Sequence, residues 1–418
     1  MTAVDVDAPN PIFRDFWTRS SNLIEADMAQ LRSLPPIFVA EEPSEIPDLV
    51  PTGPGTWIIT RHADILHLSK NPALFSSASG ITVDDVPAEF NEFFSSMIAM
   101  DDPRHARLRK LVSGGFTPRM LHKLQGGVEV LASSIVDEIQ ERGECDFVVD
   151  VAARLPLKVV CDLMGIPEEH LDFVFDQSNV ILGSGDPEYM AETDDFFTKI
   201  LEAGGGLSEL MLDVAASKEG GDADDLTTML VNAEVDGVKL SHQDIASFFI
   251  LLVVAGNETT RNAISWGLKY LTDNPDQRAI WAADVSGVGT TAVEEIVRLA
   301  SPVSYMRRTA TAQTIVGGET VNEGDKLSMF YIAANRDEDV FTDPLAFDVL
   351  RNPNPHLGFG GPGPHFCLGA HLARREIQVM FAELFRRLPD IHSTSEPDAL
   401  ASSFIHGVKH LQAEFTPI

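Results

Sequence analysis

Cysteine is scarce in this chain: three in 418 residues, Cys145, Cys161 and Cys367. They are far apart and odd in number, which excludes a disulfide framework and suits a reducing cytosol. A membrane-spanning run is also missing. The longest apolar stretch, Ile245 to Gly256, is interrupted by Ser247 and is too short to cross a bilayer. Met1 to Asn10 is acidic and contains proline, without the apolar core of a signal peptide. Basic residues are few, 31 Lys and Arg against 63 Asp and Glu, for a net charge of −32. Nucleic-acid phosphates need Lys and Arg, so a nucleic-acid partner is excluded, and docking on an anionic membrane is disfavoured. The main meaning of the charge is solubility. No repeat or Gly/Ser linker divides the chain. The expectation is one cytoplasmic domain over 1–418, monomeric and without a membrane anchor.

Apolar residues make up 44% of the chain, enough for a large core. Asn10 to Leu34 predicts an amphipathic helix ending at Pro35-Pro36. Ile37–Ala40 and Thr56–Thr60 predict short strands around a Pro/Gly turn. Helices dominate from Asp64 onward. Ile81 to Met100 carries a greasy cluster of Phe90, Phe93, Phe94, Met97, Ile98 and Met100, fit either to pack on the core or to roof a pocket. Asp102 can cap a helix beginning at Pro103, and His105 and Arg109, four apart, share one face of it. Met120 to Glu219 holds several amphipathic helices, broken at Leu182–Pro187. Ser241 and Asp244 form a capping box that opens the longest helix, running to about Thr272. Its first half is apolar on nearly all sides and so predicts burial.

Two stretches carry chemistry. In Phe359-Gly360-Gly361-Pro362-Gly363-Pro364-His365-Phe366-Cys367-Leu368-Gly369, four glycines and two prolines bracket one cysteine. Glycine allows positive φ and close approach, and proline stiffens the loop. Such a loop can hold one sulfur rigidly just before a helix N-terminus, whose positive end favours a thiolate. A lone cysteine is ordinarily a buried, inert hydrophobe. In the longest helix, Ala255-Gly256-Asn257-Glu258-Thr259-Thr260 puts glycine and polar groups in a buried segment, at a cost unless they are paired or used. Either Thr259 bonds back to a carbonyl one turn earlier and Glu258 finds an arginine, or the segment serves a site.

The cysteine loop resembles the haem-binding signature of cytochromes P450, and Ala255–Thr259 resembles that family's oxygen-binding motif. Glu295 and Arg298, three apart, resemble its structural pair, with Arg351 as third member. The motifs stand in the family's order, and the resemblance runs from about Phe16 to Phe415. It implies a mainly α cytochrome P450 fold, a helical prism with a small β-rich region. It implies haem b (iron protoporphyrin IX) on the Cys367 thiolate. Phe359 and Gly369 frame that loop, and His105, Arg109, Arg308 and His365 contact the haem propionates. Ala255 and Gly256 would leave room for the macrocycle. Glu258 and Thr259 become the catalytic acid–alcohol pair that delivers protons to bound dioxygen.

The implied activity is monooxygenation, with O2, a ferredoxin and a ferredoxin reductase using NAD(P)H. Arg104, Arg107, Lys110, Arg374 and Arg375 are candidates for the ferredoxin-docking patch. Phe359 lies eight residues before Cys367, where most bacterial members have seven. That extra residue is shared with mycobacterial hydroxylases of methyl-branched lipids and sterols. Pro362 and Gln313 depart from the pattern. The expected reaction is terminal-methyl hydroxylation of a hydrophobic, methyl-branched lipid, with sterol side-chain hydroxylation as alternative. Phe94, Met97, Ile98, Val254, Ala255, Val303 and Phe404 are the candidate pocket lining. A peroxygenase or a non-catalytic haem-thiolate gas sensor would not need Glu258 and Thr259.

Overall fold

The computed structural model describes residues 9–42, 53–116, 118–183, 186, 188–189, 195–235 and 238–418. The long helix, His242–Asp273, runs through the middle of the molecule. Its capping box forms as expected: Ser241 Oγ accepts from Asp244 N at 3.1 Å, and Asp244 Oδ2 accepts from Ser241 N at 3.0 Å. Helices Arg154–Met164, Phe196–Ser217, Val285–Ala300 and Ala370–Arg387 pack around it. Phe248, Phe249, Ile250 and Val253 enter one apolar core, and Ile264, Leu268 and Leu271 enter a second. Gly267 permits a close crossing. A Cβ there would lie 2.7 Å from the Phe381 ring and 3.0 Å from Ile296 Cδ1.

The β-rich region is a five-stranded sheet ordered Ile37–Val39, Thr56–Ile59, Lys326–Phe330, Tyr305–Ala310, Phe75–Ser76. Thr56–Ile59 and Lys326–Phe330 run parallel; the other neighbours are antiparallel. This is the mainly α architecture with a small β region that the motifs imply.

The amino-terminal segment differs from expectation. In place of one helix over Asn10–Leu34 there are two, Arg14–Trp17 and Ser21–Ser33. Trp17 Nε1 donates to Pro11 O at 2.7 Å, tying the first turn back on itself. Ser20 then takes the extended backbone of an N-cap and restarts the helix. Helix Leu171–Leu182 ends where the break was expected; of that break, residues 184, 185 and 187 lie outside the described residues.

Glu295 organises the approach to the cysteine loop. It is fully buried and takes both Arg298 Nε and a terminal nitrogen at 2.8 Å, with Arg351 Nε at 3.0 and 3.1 Å. Arg298 also donates to the carbonyls of Asn335, Pro344 and Ala346 at 2.8, 2.6 and 3.0 Å. Buried charges persist only when hydrogen-bonded this completely. The network fixes residues 335–354, the segment that feeds the loop.

Candidate active site

Between the long helix and the cysteine loop lies a cavity of about 220 Å³. Cys367 lines it from a loop closed by its own N–H, which donates to Phe359 O at 3.0 Å. Gly360 makes the turn with φ of 83°, open to glycine at little cost. Gly369 is the N-cap of Ala370–Arg387, so the sulfur sits at that helix's start. Burial pushes the Cys367 thiol up. The N–H groups of Gly369 and Ala370 and the charges of Arg109 and Arg374 pull the other way. Arg374 also lies 4.3 Å over the Phe359 ring and pairs with Glu294.

His105, Arg109, Arg308 and His365 line the same cavity. His105 and His365 have ring centroids 4.3 Å apart, and Arg109 donates to Phe366 O at 2.5 Å. His105 Nε2 is buried without a partner. Burial, with Arg308, His105 and Arg109 nearby, pushes His365 down to about 3. Among the described lining residues the only carboxylate is Glu376, and its own burial raises it to about 8, so it is neutral near pH 7. The cavity therefore offers a thiol and four basic side chains with no fixed negative charge. A flat, dianionic macrocycle with a thiolate-seeking metal fits that donor set, and a haem is such a group. These residues would hold it: Cys367 the iron; His105, Arg109, Arg308 and His365 the propionates.

A second cavity of about 310 Å³ adjoins the first. Ile98, Leu251, Ala255, Thr259, Val303 and Met306 line both and form the throat between them. Of the sequence candidates, Phe94, Val254 and Phe404 line the second cavity and Met97 the first. Phe90 also faces the second, stacked on Phe197 and tilted against Phe94, while Phe93 and Met100 join the core. The Val303–Ile405 bridge brings the carboxyl-terminal turn to the throat.

The segment that resembles an oxygen-binding motif divides. Thr259 faces the throat and its hydroxyl donates to Ala255 O at 2.7 Å. Glu258 does not face either cavity. It is fully buried, paired with Arg261, and accepts from Asn262 Nδ2 at 2.9 Å. Arg261 in turn donates to Asn179 Oδ1 at 3.1 Å. The Glu-x-x-Arg spacing of 258 and 261 was the signal for this pairing. Gly256 serves packing as well as space, since a Cβ there would lie 3.0 Å from Val160 Cγ2. Three of the five patch residues are engaged: Arg104 with Glu92, Arg374 with Glu294 and Arg375 with Glu129. Arg107 and Lys110 are exposed.

A cytochrome P450 family model matches residues 290–408. The methyl-branched lipid omega-hydroxylase of Mycobacterium tuberculosis is 48% identical over 95% of this chain and 92% of that protein. A steroid C26-monooxygenase of Rhodococcus jostii is 39% identical over 93% of this chain and 81% of its own. A Mycobacterium marinum cytochrome P450 solved in complex with pseudoionone superposes with a TM-score of 0.94 at 40% identity, covering 99% of this chain and 100% of that one. Relatedness of this depth over almost the whole length makes the chain a member of the cytochrome P450 family, the haem-thiolate monooxygenases.

Proposed function

We propose that the enzyme hydroxylates a terminal methyl group of a methyl-branched lipid. The observation that carries this is the throat. An apolar chain lying in the larger cavity would reach the haem slot between Ile98, Leu251, Ala255, Val303 and Met306, which line both cavities. Primary C–H bonds are the strongest in such a chain, so terminal attack has to be imposed by position. A throat walled by these side chains would admit a chain end and hold its weaker neighbouring C–H bonds back. The 48% identical relative named as a methyl-branched lipid omega-hydroxylase supports the same substrate class.

The bound haem supplies dioxygen activation, with thiolate donation from Cys367 favouring O–O cleavage. The protein supplies position, dryness and protons. Leu251, Val254, Phe94 and Phe404 exclude water from the chain. Thr259 Oγ1, at the throat, is the atom that presents a proton to the dioxygen. Glu258, one residue away, could relay a further proton only after taking one up from solvent and leaving its pair with Arg261. Electrons come from a ferredoxin and its NAD(P)H-dependent reductase, docking over the exposed Arg107, Lys110 and Phe366 beside the cysteine loop.

Product mapping by mass spectrometry tests the proposal, using a reductase system and a panel of methyl-branched lipids, linear lipids and sterols. Primary alcohols at a branched terminus are expected. Mainly in-chain alcohols or epoxides would overturn terminal selectivity, and turnover confined to sterols would move the substrate class to the sterol side chain.

A further inference from the structure

One strip of the larger cavity's wall is held by charge. Ile81, Thr82, Asp84 and Val86 line that cavity. The strip is strung along the strands Tyr305–Ala310 and Lys326–Phe330. Arg307 N donates to Ile81 O at 2.7 Å, Val83 N donates to Tyr305 Oη at 3.1 Å, and Lys326 Nζ donates to Val83 O at 2.8 Å. Asp85 closes it. Its Oδ1 accepts from Arg307 Nη1 at 2.7 Å, and its Oδ2 lies 2.7 Å from Lys326 Nζ. Arg307 and Lys326 are both buried, and buried cations persist only when paired. Burial raises the Asp85 carboxyl; Lys326 and Arg307 outweigh that and hold it below its ordinary value. Glu42 Oε2 also accepts from Lys326, at 2.7 Å, and its Oε1 has no hydrogen-bond partner among the described residues. That second carboxylate therefore supports Lys326 without holding the strip.

We infer that Asp85 is a positioning residue for regioselectivity: by pinning residues 81–86 to Arg307 and Lys326, it fixes the cavity wall relative to the throat. This rests on the terminal-hydroxylation reading and adds the group that keeps the chain in place. The strand supplies the register. Met306 lines the throat, Arg307 holds the strip and Arg308 lines the haem slot, three consecutive residues. A wall tied to Arg307 keeps a constant offset from the slot. Arg307 Nη1 reaches the carbonyls of Thr82, Val83 and Asp84 only at 3.4, 3.4 and 3.3 Å, so Asp85 is its strongest side-chain contact with the strip. Without that carboxylate, the two cations lose the counter-charge they share, and the strip keeps only hydrogen bonds from its backbone. It then gives way to the ligand, and C–H bonds weaker than the terminal ones come within reach of the slot.

The test compares haem-loaded Asp85→Asn and Glu42→Gln on the branched lipid that the wild type turns over fastest. The ratio of terminal to in-chain product should fall roughly tenfold in Asp85→Asn, since an ångström of misplacement can cost roughly a hundredfold. Amide hydrogen exchange at residues 82–86 should quicken in the same variant, with or without haem. Glu42→Gln also breaks a buried ion pair of Lys326. It should leave the product ratio within about twofold of wild type and the exchange at 82–86 unchanged. The Asp85 side chain is 37% exposed and asparagine has its shape, which favours a folded variant. Asp85→Glu keeps the charge but lengthens the arm by one methylene, and should move the ratio the same way by a smaller factor. An unchanged ratio in Asp85→Asn, or in Asp85→Glu where the asparagine variant does not fold, overturns the inference. Equal redistribution by Asp85→Asn and Glu42→Gln overturns it too. Terminal hydroxylation is read from the wild-type product alone. A wild type giving mainly in-chain alcohols fails that reading, and the strip is then still judged by whether Asp85→Asn redistributes products and Glu42→Gln does not.

Discussion

Replacing Glu295 should unfold this enzyme more readily than replacing any exposed carboxylate. Its two oxygens accept from Arg298, Arg351, the Asp348 N–H at 3.0 Å and Asn354 Nδ2 at 3.1 Å. Glu295→Ala leaves Arg298 fully buried without its anion. Removing one partner of a buried pair costs about 3–5 kcal/mol. The orphaned Asp348 N–H adds about 1–3 kcal/mol. The sum reaches about 4–8 kcal/mol, comparable with a typical total stability of ~5–15 kcal/mol. Glu295→Gln keeps the shape and loses the charge, so its cost should fall near the lower figure. The assay is urea-induced loss of the haem absorbance band, followed beside far-ultraviolet circular dichroism. The exposed Glu323→Gln serves as control and should lie within about 0.5 kcal/mol of wild type. A Glu295→Gln protein as stable as that control would refute the argument that this carboxylate holds the segment before the cysteine loop.

Thr259→Ala should keep substrate binding but divert electrons, with hydrogen peroxide per NAD(P)H rising and product falling; unchanged coupling would confine Thr259 to its bond with Ala255. Arg107→Glu and Lys110→Glu should slow first-electron transfer from a ferredoxin, more at low salt than at high. Rates insensitive to both charge and salt would move the donor elsewhere. Glu294 is held at about 2: burial raises it, and His356 and Arg374 outweigh that. A lowered carboxylate contributes stability that is fully present above its unfolded value near 4.5 and is lost as pH falls toward 2. Melting temperature should therefore drop more steeply between pH 5 and 3 in wild type than in Glu294→Gln, and parallel slopes would count against the pairing.

How much was legible in the sequence depends on the kind of signal. The capping box at Ser241, the strands at Ile37 and Thr56 and the helix after Gly369 all rest on local rules, and all stand where expected. The amino-terminal helix misled because its periodicity continues across Ser20, while the tie from Trp17 to Pro11 has no periodic signature. Motif matching located the residues around Cys367 but not their orientation. Glu258 and Thr259 are adjacent, so a helix points them about 100° apart, and an arginine one turn on draws Glu258 to the far side. Arg104, Arg374 and Arg375 look alike in sequence to Arg107. Only the fold shows that the first three meet glutamates, two of them more than 70 residues away.

The haem slot is lined from residues 97–116, 160–163, 248–263, 297–308, 331 and 358–377. The sheet beside it pairs residues near 57 with residues near 327. No stretch of chain that stops short of residue 377 contains the whole lining. During synthesis at about 5–20 residues per second, the first three hundred residues emerge before the cysteine loop exists. For that interval the apolar wall of the long helix has neither macrocycle nor loop to cover it. Capture of a cofactor in this slot would therefore have to follow the emergence of residue 377, joining two layers made far apart in time. When cofactor is scarce, the species that accumulates should be a nearly complete chain with an open slot, and that is the form in which chaperone dependence and aggregation would concentrate.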